Sequence, residues 1–169
     1  DGGYAAWAAD AANPTESGPA QEPGMADFVA RVRPEILVST PDMKARLGRP
    51  NDVVIDARSS DQYAGTGSSG LAARPGHIPG ALNLDNATLF DPSTHRLKPR
   101  EALAASFPPE AGLPGRTTIF YCNAGHWSSI EWFVFHQLLG KTDSILYADS
   151  MAGWTRDPDT PLVTGPDPQ

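Results

Sequence analysis

The chain has a single cysteine, Cys122, in 169 residues, which excludes an intrachain disulfide and any cysteine-rich zinc site. It has no apolar run approaching the roughly 20 residues that cross a bilayer, so a membrane is not an expected partner. Basic side chains are in short supply: 13 Lys and Arg face 20 Asp and Glu, for a net charge of −7. That balance repels phosphate backbones and anionic lipid, and nucleic acid is not expected to bind. Only four histidines occur, and neither His95 nor His136 stands at ligand spacing to another or to Cys122, so no metal is expected. The stretch GTGSSG (65–70) lacks the Lys-Ser/Thr ending of a phosphate-binding loop and reads as a flexible surface loop bordering whatever site the fold builds.

What is present is enough for one core. Forty per cent of the residues are hydrophobic, which at this length supports one globular domain with some chain left over. Residues 8–33 have linker composition, with Pro14, Pro19 and Pro23 interrupting any helix. Within them FVARV (28–32) alternates apolar and polar side chains, as if lying extended against the domain.

From residue 34 short apolar runs alternate with helical patterns. ILVS (36–39) leads into STPDMKARLG, where Ser39 or Thr40 can cap a helix and Pro41 suits its start. VVIDA (53–57) reads as a buried strand, and residues 81–84 as a short strand after the GHIPG turn, in which His77 is expected to bond locally. PREALAASF reads as a helix with Leu103 and Phe107 on one face. TTIFYC (117–122), made of β-branched and aromatic residues, is the clearest strand. SSIEWFVFHQLLG then reads as a buried helix that Gly140 stops, SILYA as a last strand and SMAGW as a last helix. Strands separated by helices pair in parallel, so the expected architecture is an α/β sandwich, about five mainly parallel strands with helices on both faces.

In such sheets ligands bind beyond the carboxyl ends of the strands, which directs attention to the end of TTIFY. There Cys122 opens a short loop that runs into a helix. Converging backbone N–H groups and the positive end of the helix dipole would favour thiolate, the nucleophilic form. The other reading open at this point is a buried cysteine acting as a small hydrophobe.

VVIDAR, RPGHIPGALNL, FYCNAGHW and YADSMAGW occur in the order and approximate spacing of a rhodanese domain, and the chain from 34 to 166 resembles that sulfurtransferase family. The resemblance implies that Cys122 attacks a sulfane sulfur, holds it as a persulfide and passes it on. The implied cradle is the loop Asn123, Ala124, Gly125, His126 and Trp127. Related phosphatases on this scaffold end a longer loop in Arg, six residues after the cysteine; Ser128 stands there, so phosphate chemistry is not expected.

No fixed charge lies in the loop, which argues against a strong thiosulfate preference. His126 supplies either a titratable contact or a solvent-facing side chain. Trp127 either walls the pocket or packs the helix start. The resemblance places Arg74 where relatives keep a basic residue facing the pocket, with a solvated loop charge as the alternative reading. Asp56 and Arg58 are expected to support the site as a pair, since a buried carboxylate needs a partner. The implied function is sulfur transfer from a donor such as thiosulfate or mercaptopyruvate to cyanide or a thiol, with no cofactor. The alternative is a non-catalytic sulfur carrier or interaction module loaded by a partner protein.

The chain opens DGGYAAW rather than at a methionine, and ADSMAGW lies over it 147 positions later. The register continues with Asp157 over Asp10, Pro161 over Pro14 and Gly165 over Gly18. Tandem rhodanese domains often end in such a turn and Trp-bearing helix. Residues 1–7 are therefore read as the closing helix of a missing N-terminal rhodanese domain, 8–33 as an interdomain linker and 34–166 as the catalytic domain. The expectation is that the helix is docked, with the first domain as a candidate separate chain. The loop's likeness to small exported bacterial sulfurtransferases gives an expected periplasmic or otherwise exported location, with the cytoplasm left open.

Overall fold

The computed structural model describes residues 1–20, 22, 24–25, 27–31 and 33–168. Its centre is a sheet of four parallel strands, β1 (Asp52–Asp56), β2 (Leu82–Asn83), β3 (Thr117–Tyr121) and β4 (Ser144–Leu146), in the order β2-β1-β3-β4. The fifth expected strand is reduced to a single bridge, Leu37 to Leu146, with Val38 N–H donating to the Leu146 carbonyl at 3.0 Å. The flanking sequence explains this. Pro34–Ile36 forms a tight 3-10 turn before it, and Ser39 caps α2 (Thr40–Arg46) immediately after it, accepting from Asp42 N–H.

Alternation along β3 divides the core. Ile119 and Tyr121 join Met43, Tyr63, Tyr147, Met151 and Trp154 on one face, beneath α2, α3 (Ser60–Ala64) and α6 (Ser150–Trp154). Phe120 points the other way, into Leu103, Phe107, Val134 and Phe135 beneath α4 (Arg100–Ser106) and α5 (His126–Phe133). Both faces are covered, as parallel sheets require. The expected single helix from 128 onward starts at His126 and loosens into a π-helical turn at Val134–Leu138, where Leu139 N–H reaches back five residues to Val134. Gly140, at φ 75°, ends it as expected.

The strand order creates the working crevice. From β1 the chain goes outward to β2 and then returns to the other side of β1 as β3, so the carboxyl ends of β1 and β3 flank a topological switch point. Asp56 ends one of these strands and Cys122 follows the other.

At the amino end α1 (Gly3–Ala8) repeats local contacts of α6. Trp7 Nε1 donates to the Pro14 carbonyl at 3.0 Å, as Trp154 Nε1 does to Pro161 at 3.0 Å. Asn13 Nδ2 and Thr160 Oγ1 donate to the carbonyls of Trp7 and Trp154 respectively, and Asp10 and Asp157 each cap the N–H two residues on. The environments differ: Trp154 is fully buried, whereas Trp7 is 48% and Tyr4 73% exposed. Docking of this segment is confined to its start, where the Asp1 carboxylate accepts from Leu97 N–H. The FVARV stretch does not lie against the domain, since Phe28 and Val29 are exposed and the described residues there form no strand; Val32 and the expected helix-breaker Pro23 lie outside the described residues.

Candidate active site

Cys122 is almost wholly buried at the end of β3, and its own backbone is anchored on both sides. Its N–H donates to Ser150 Oγ at 3.1 Å, and its carbonyl accepts from Met151 N–H at 3.0 Å. Ser150 holds a left-handed backbone, φ 51°, which is strained for a residue with a side chain; its hydroxyl returns the bond to the Tyr147 carbonyl. The sheet thus fixes where the sulfur sits.

The loop then turns over the sulfur into α5. Among the described residues none of the backbone N–H groups from Asn123 to Ser128 is spent on another group, so they remain free for an anion at Cys122. The first turn of α5 adds the positive end of its dipole. Ser128, buried in that turn, directs its hydroxyl at Cys122 Sγ (3.4 Å) and at the Gly125 carbonyl (3.2 Å). Such donors stabilise charge on sulfur whether it is thiolate or persulfide.

Gly125 makes this turn possible. Its φ is 87°, and a Cβ there would stand 2.9 Å from the Ala148 carbonyl oxygen. Gly125→Ala is therefore expected to cost about 1–2 kcal/mol from the left-handed backbone alone, and to displace the cradle. Urea unfolding reads the first effect, and at least a tenfold slower alkylation of Cys122 reads the second.

Asn123 ties the loop across the crevice, its Nδ2 donating to Gln62 Oε1 on α3 at 2.8 Å, while its Oδ1 is buried without a partner among the described residues. Ala124 is half-buried between them. The cleft in front, of about 300 Å³, is walled by Arg58, Gln62, Asn123, Arg74 and the loop 65–69, so GTGSSG borders the entrance as the sequence suggests. His126 and Trp127 are exposed and neither lines this cleft; the Trp127 carbonyl is held by Asn86 Nδ2 at 3.1 Å.

Both arginines of the cleft are committed to protein groups. Asp56 and Arg58 form a buried bidentate pair, Nε to Oδ1 at 2.9 Å and Nη2 to Oδ2 at 2.6 Å, and Nη2 also reaches the Gly76 carbonyl. Burial works against the Arg58 charge, but the bonds to Asp56 and its charge outweigh it and raise the guanidinium pKa. Arg74 Nη2 binds the carbonyls of Asp157 and Thr160 and the Thr160 hydroxyl, so it clasps the 155–160 segment while lining the cleft. His77 is buried, stacked on Tyr63 at 3.6 Å with Nδ1 at the Tyr63 carbonyl, and burial lowers its pKa.

Ser128, Ser150, Gln62 and the buried Glu131 escape a reading of the sequence. Two of them carry a faint signal: Ser128 stands one helical turn into the segment after Cys122, and Glu131 is the lone acid in the apolar run SSIEWFVF. Ser150 and Gln62 act through tertiary contacts that no spacing announces.

Comparison with known proteins agrees with this geometry. A model of the rhodanese-like domain matches residues 39–157. The thiosulfate sulfurtransferase of Pseudomonas aeruginosa is 32% identical over 162 residues, 96% of this chain and 58% of that protein. A probable 3-mercaptopyruvate sulfurtransferase of the same organism is 32% identical over 171 residues, 98% of this chain and 57% of that protein. The chain thus spans somewhat over half the length of these relatives. Among solved structures, an EanB variant in complex with ergothioneine superposes with a TM-score of 0.83 at 24% identity, covering 97% of this chain and 40% of that one. Tum1 from Saccharomyces cerevisiae superposes at 0.63 and 24% identity, over 77% of this chain and 46% of that one. Four parallel strands in this order, a cysteine at the switch point and the matched domain together place the chain in the rhodanese-like domain family.

Proposed function

We propose that the chain is a sulfurtransferase that carries sulfane sulfur on Cys122. The observation that carries this reading is the buried sulfur facing a ring of unspent backbone N–H groups and the Ser128 hydroxyl, a cradle that fits an anionic sulfur chain. The two Pseudomonas relatives, named for thiosulfate and mercaptopyruvate, support the donor class.

With thiosulfate, the Cys122 thiolate attacks the outer sulfur, the S–S bond to sulfite breaks with its electron pair, and sulfite leaves. Cys122 then carries the outer sulfur as S–S⁻. Cyanide or a thiolate attacks that terminal sulfur, and the electron pair of the S–S bond returns to Cys122. With mercaptopyruvate a C–S bond breaks instead, and the leaving enolate takes its proton from solvent. The N–H cradle stabilises the charge before and after each transfer, so one geometry serves both halves of the cycle.

A second reading, a carrier module loaded by a partner protein, is favoured by one observation: Arg58 and Arg74 are bonded to protein groups and the loop bears no fixed cation, which leaves the cleft few charges for a small anionic donor. Steady-state turnover with thiosulfate or mercaptopyruvate and cyanide is expected to give many cycles per chain. A single loading of one sulfur without turnover would establish the carrier reading instead.

The hydrogen bonds shared by residues 7–14 and 154–161 support a further part of this proposal, that α1 is the closing motif of another rhodanese unit. In α6 the equivalent side chains, Met151 and Trp154, are buried against a sheet. Tyr4 and Trp7 would be covered by such a sheet in that first unit, joined or supplied as a separate chain.

A further inference from the structure

Glu131 has no part in the chemistry described so far, yet it is fully buried on α5 and neither of its carboxyl oxygens has a hydrogen-bond partner among the described residues. Asp56 is equally buried but is bonded by Arg58, so the two acids are not alike. A buried carboxyl without a partner keeps its proton rather than its charge. Its position is specific. Glu131 follows Ser128 by three residues and shares its helix face, and Ser128 is hydrogen-bonded to Cys122 Sγ.

The groups that face Glu131 are all acidic. α5 packs on β3, on β4 and on the 3-10 turn Asn86–Leu89. Cys122 comes from the end of β3, Asp85 from the cap of that turn and Asp56 from the end of β1, where Arg58 is already paired with it. β4, Ser144–Leu146, brings no titratable side chain, and His126 at the head of α5 is exposed. Burial first, and then the charges of Asp56, Cys122 and Asp85, hold the Glu131 carboxyl well above the usual range.

We propose that Glu131 is a positioning residue for the charge on Cys122: the two groups compete for a single negative charge, which resides on sulfur as thiolate or persulfide while Glu131 keeps its proton. Two negative charges this close in a water-poor interior repel strongly, so the doubly ionised state is rare and the two titrations are coupled. The coupling is reciprocal: an anionic sulfur holds the proton on Glu131, and an ionised Glu131 returns a proton to the sulfur. The persulfide half of this statement rests on the proposed sulfur transfer; the thiolate half does not.

The test uses no sulfur donor, so its failure and a failure of sulfur transfer are distinguishable. The rate of Cys122 alkylation by iodoacetamide is followed against pH for the full chain and for Glu131→Gln. The wild type is expected to titrate over a broadened or two-step curve, and Glu131→Gln over one step displaced to lower pH by about half a unit or more, roughly threefold more thiolate on the acid limb. Superimposable curves overturn the proposal. A second measurement needs no variant. The infrared C=O band of the protonated carboxyl is expected to disappear at lower pH once Cys122 has been alkylated and can no longer be anionic. A band whose pH dependence ignores alkylation overturns the proposal equally.

Discussion

Cys122→Ser is expected to take up no sulfur when incubated with thiosulfate or mercaptopyruvate, while the wild type gains the mass of one sulfur per chain. The loss should be complete within detection, because no second cysteine exists to accept the sulfur. A serine hydroxyl is far too weakly acidic to form the attacking anion at neutral pH, and an O–S product has no counterpart in the cycle. The fold should survive: Cys122 is held by backbone bonds to Ser150 and Met151, which the substitution leaves in place. Circular dichroism and the urea midpoint should therefore stay near those of the wild type. An equal gain of sulfur by Cys122→Ser would place the acceptor elsewhere and remove the basis of the proposed function.

Arg58→Met is expected to give the largest loss of stability. It strands the fully buried Asp56 carboxylate, which Arg58 holds through Nε and Nη2, and it releases the Gly76 carbonyl. Breaking a buried ion pair by removing one partner typically costs about 3–5 kcal/mol, a large share of the ~5–15 kcal/mol that holds a domain together. Urea unfolding should show the midpoint falling with little change in slope. Adding Asp56→Asn should recover part of the loss, because the stranded group is then neutral. A double change as costly as the two single losses added together would mean that the pair is not the unit at work.

The elements that could be read from the sequence are those whose reasons are local. TTIFY announces a buried strand through its β-branched and aromatic side chains, Ser39 and Pro41 mark the start of α2, and Gly140 marks the end of the π-helical turn after α5. The strand at Ile36–Ser39 was expected from its apolar run, but a strand also needs neighbours: Pro34 and the Ser39 cap bracket it so closely that a single bridge remains. The site divides in the same way. Cys122 and its loop follow from a strand end beside a helix start, whereas the contacts of Ser150 and Gln62 depend on α6 and α3 being folded over that loop, which no spacing encodes. Arg74 shows the limit of a motif. Its place at the cleft was legible, but the carbonyls at 157 and 160 that occupy its guanidinium lie more than 80 residues on.

That clasp has a consequence in time. Arg74 meets Asp157 and Thr160, and His77 exchanges backbone bonds with Val163, so the cleft's wall is closed by chain made long after the wall itself. Contacts so distant in sequence form late, because the intervening loop must be ordered before they are rewarded. On a ribosome, β3 and its cysteine emerge while the 155–163 segment is still in the tunnel. The thiol thus exists in the nascent chain before its cleft does, and the last contacts to form are those that turn a strand end into a site.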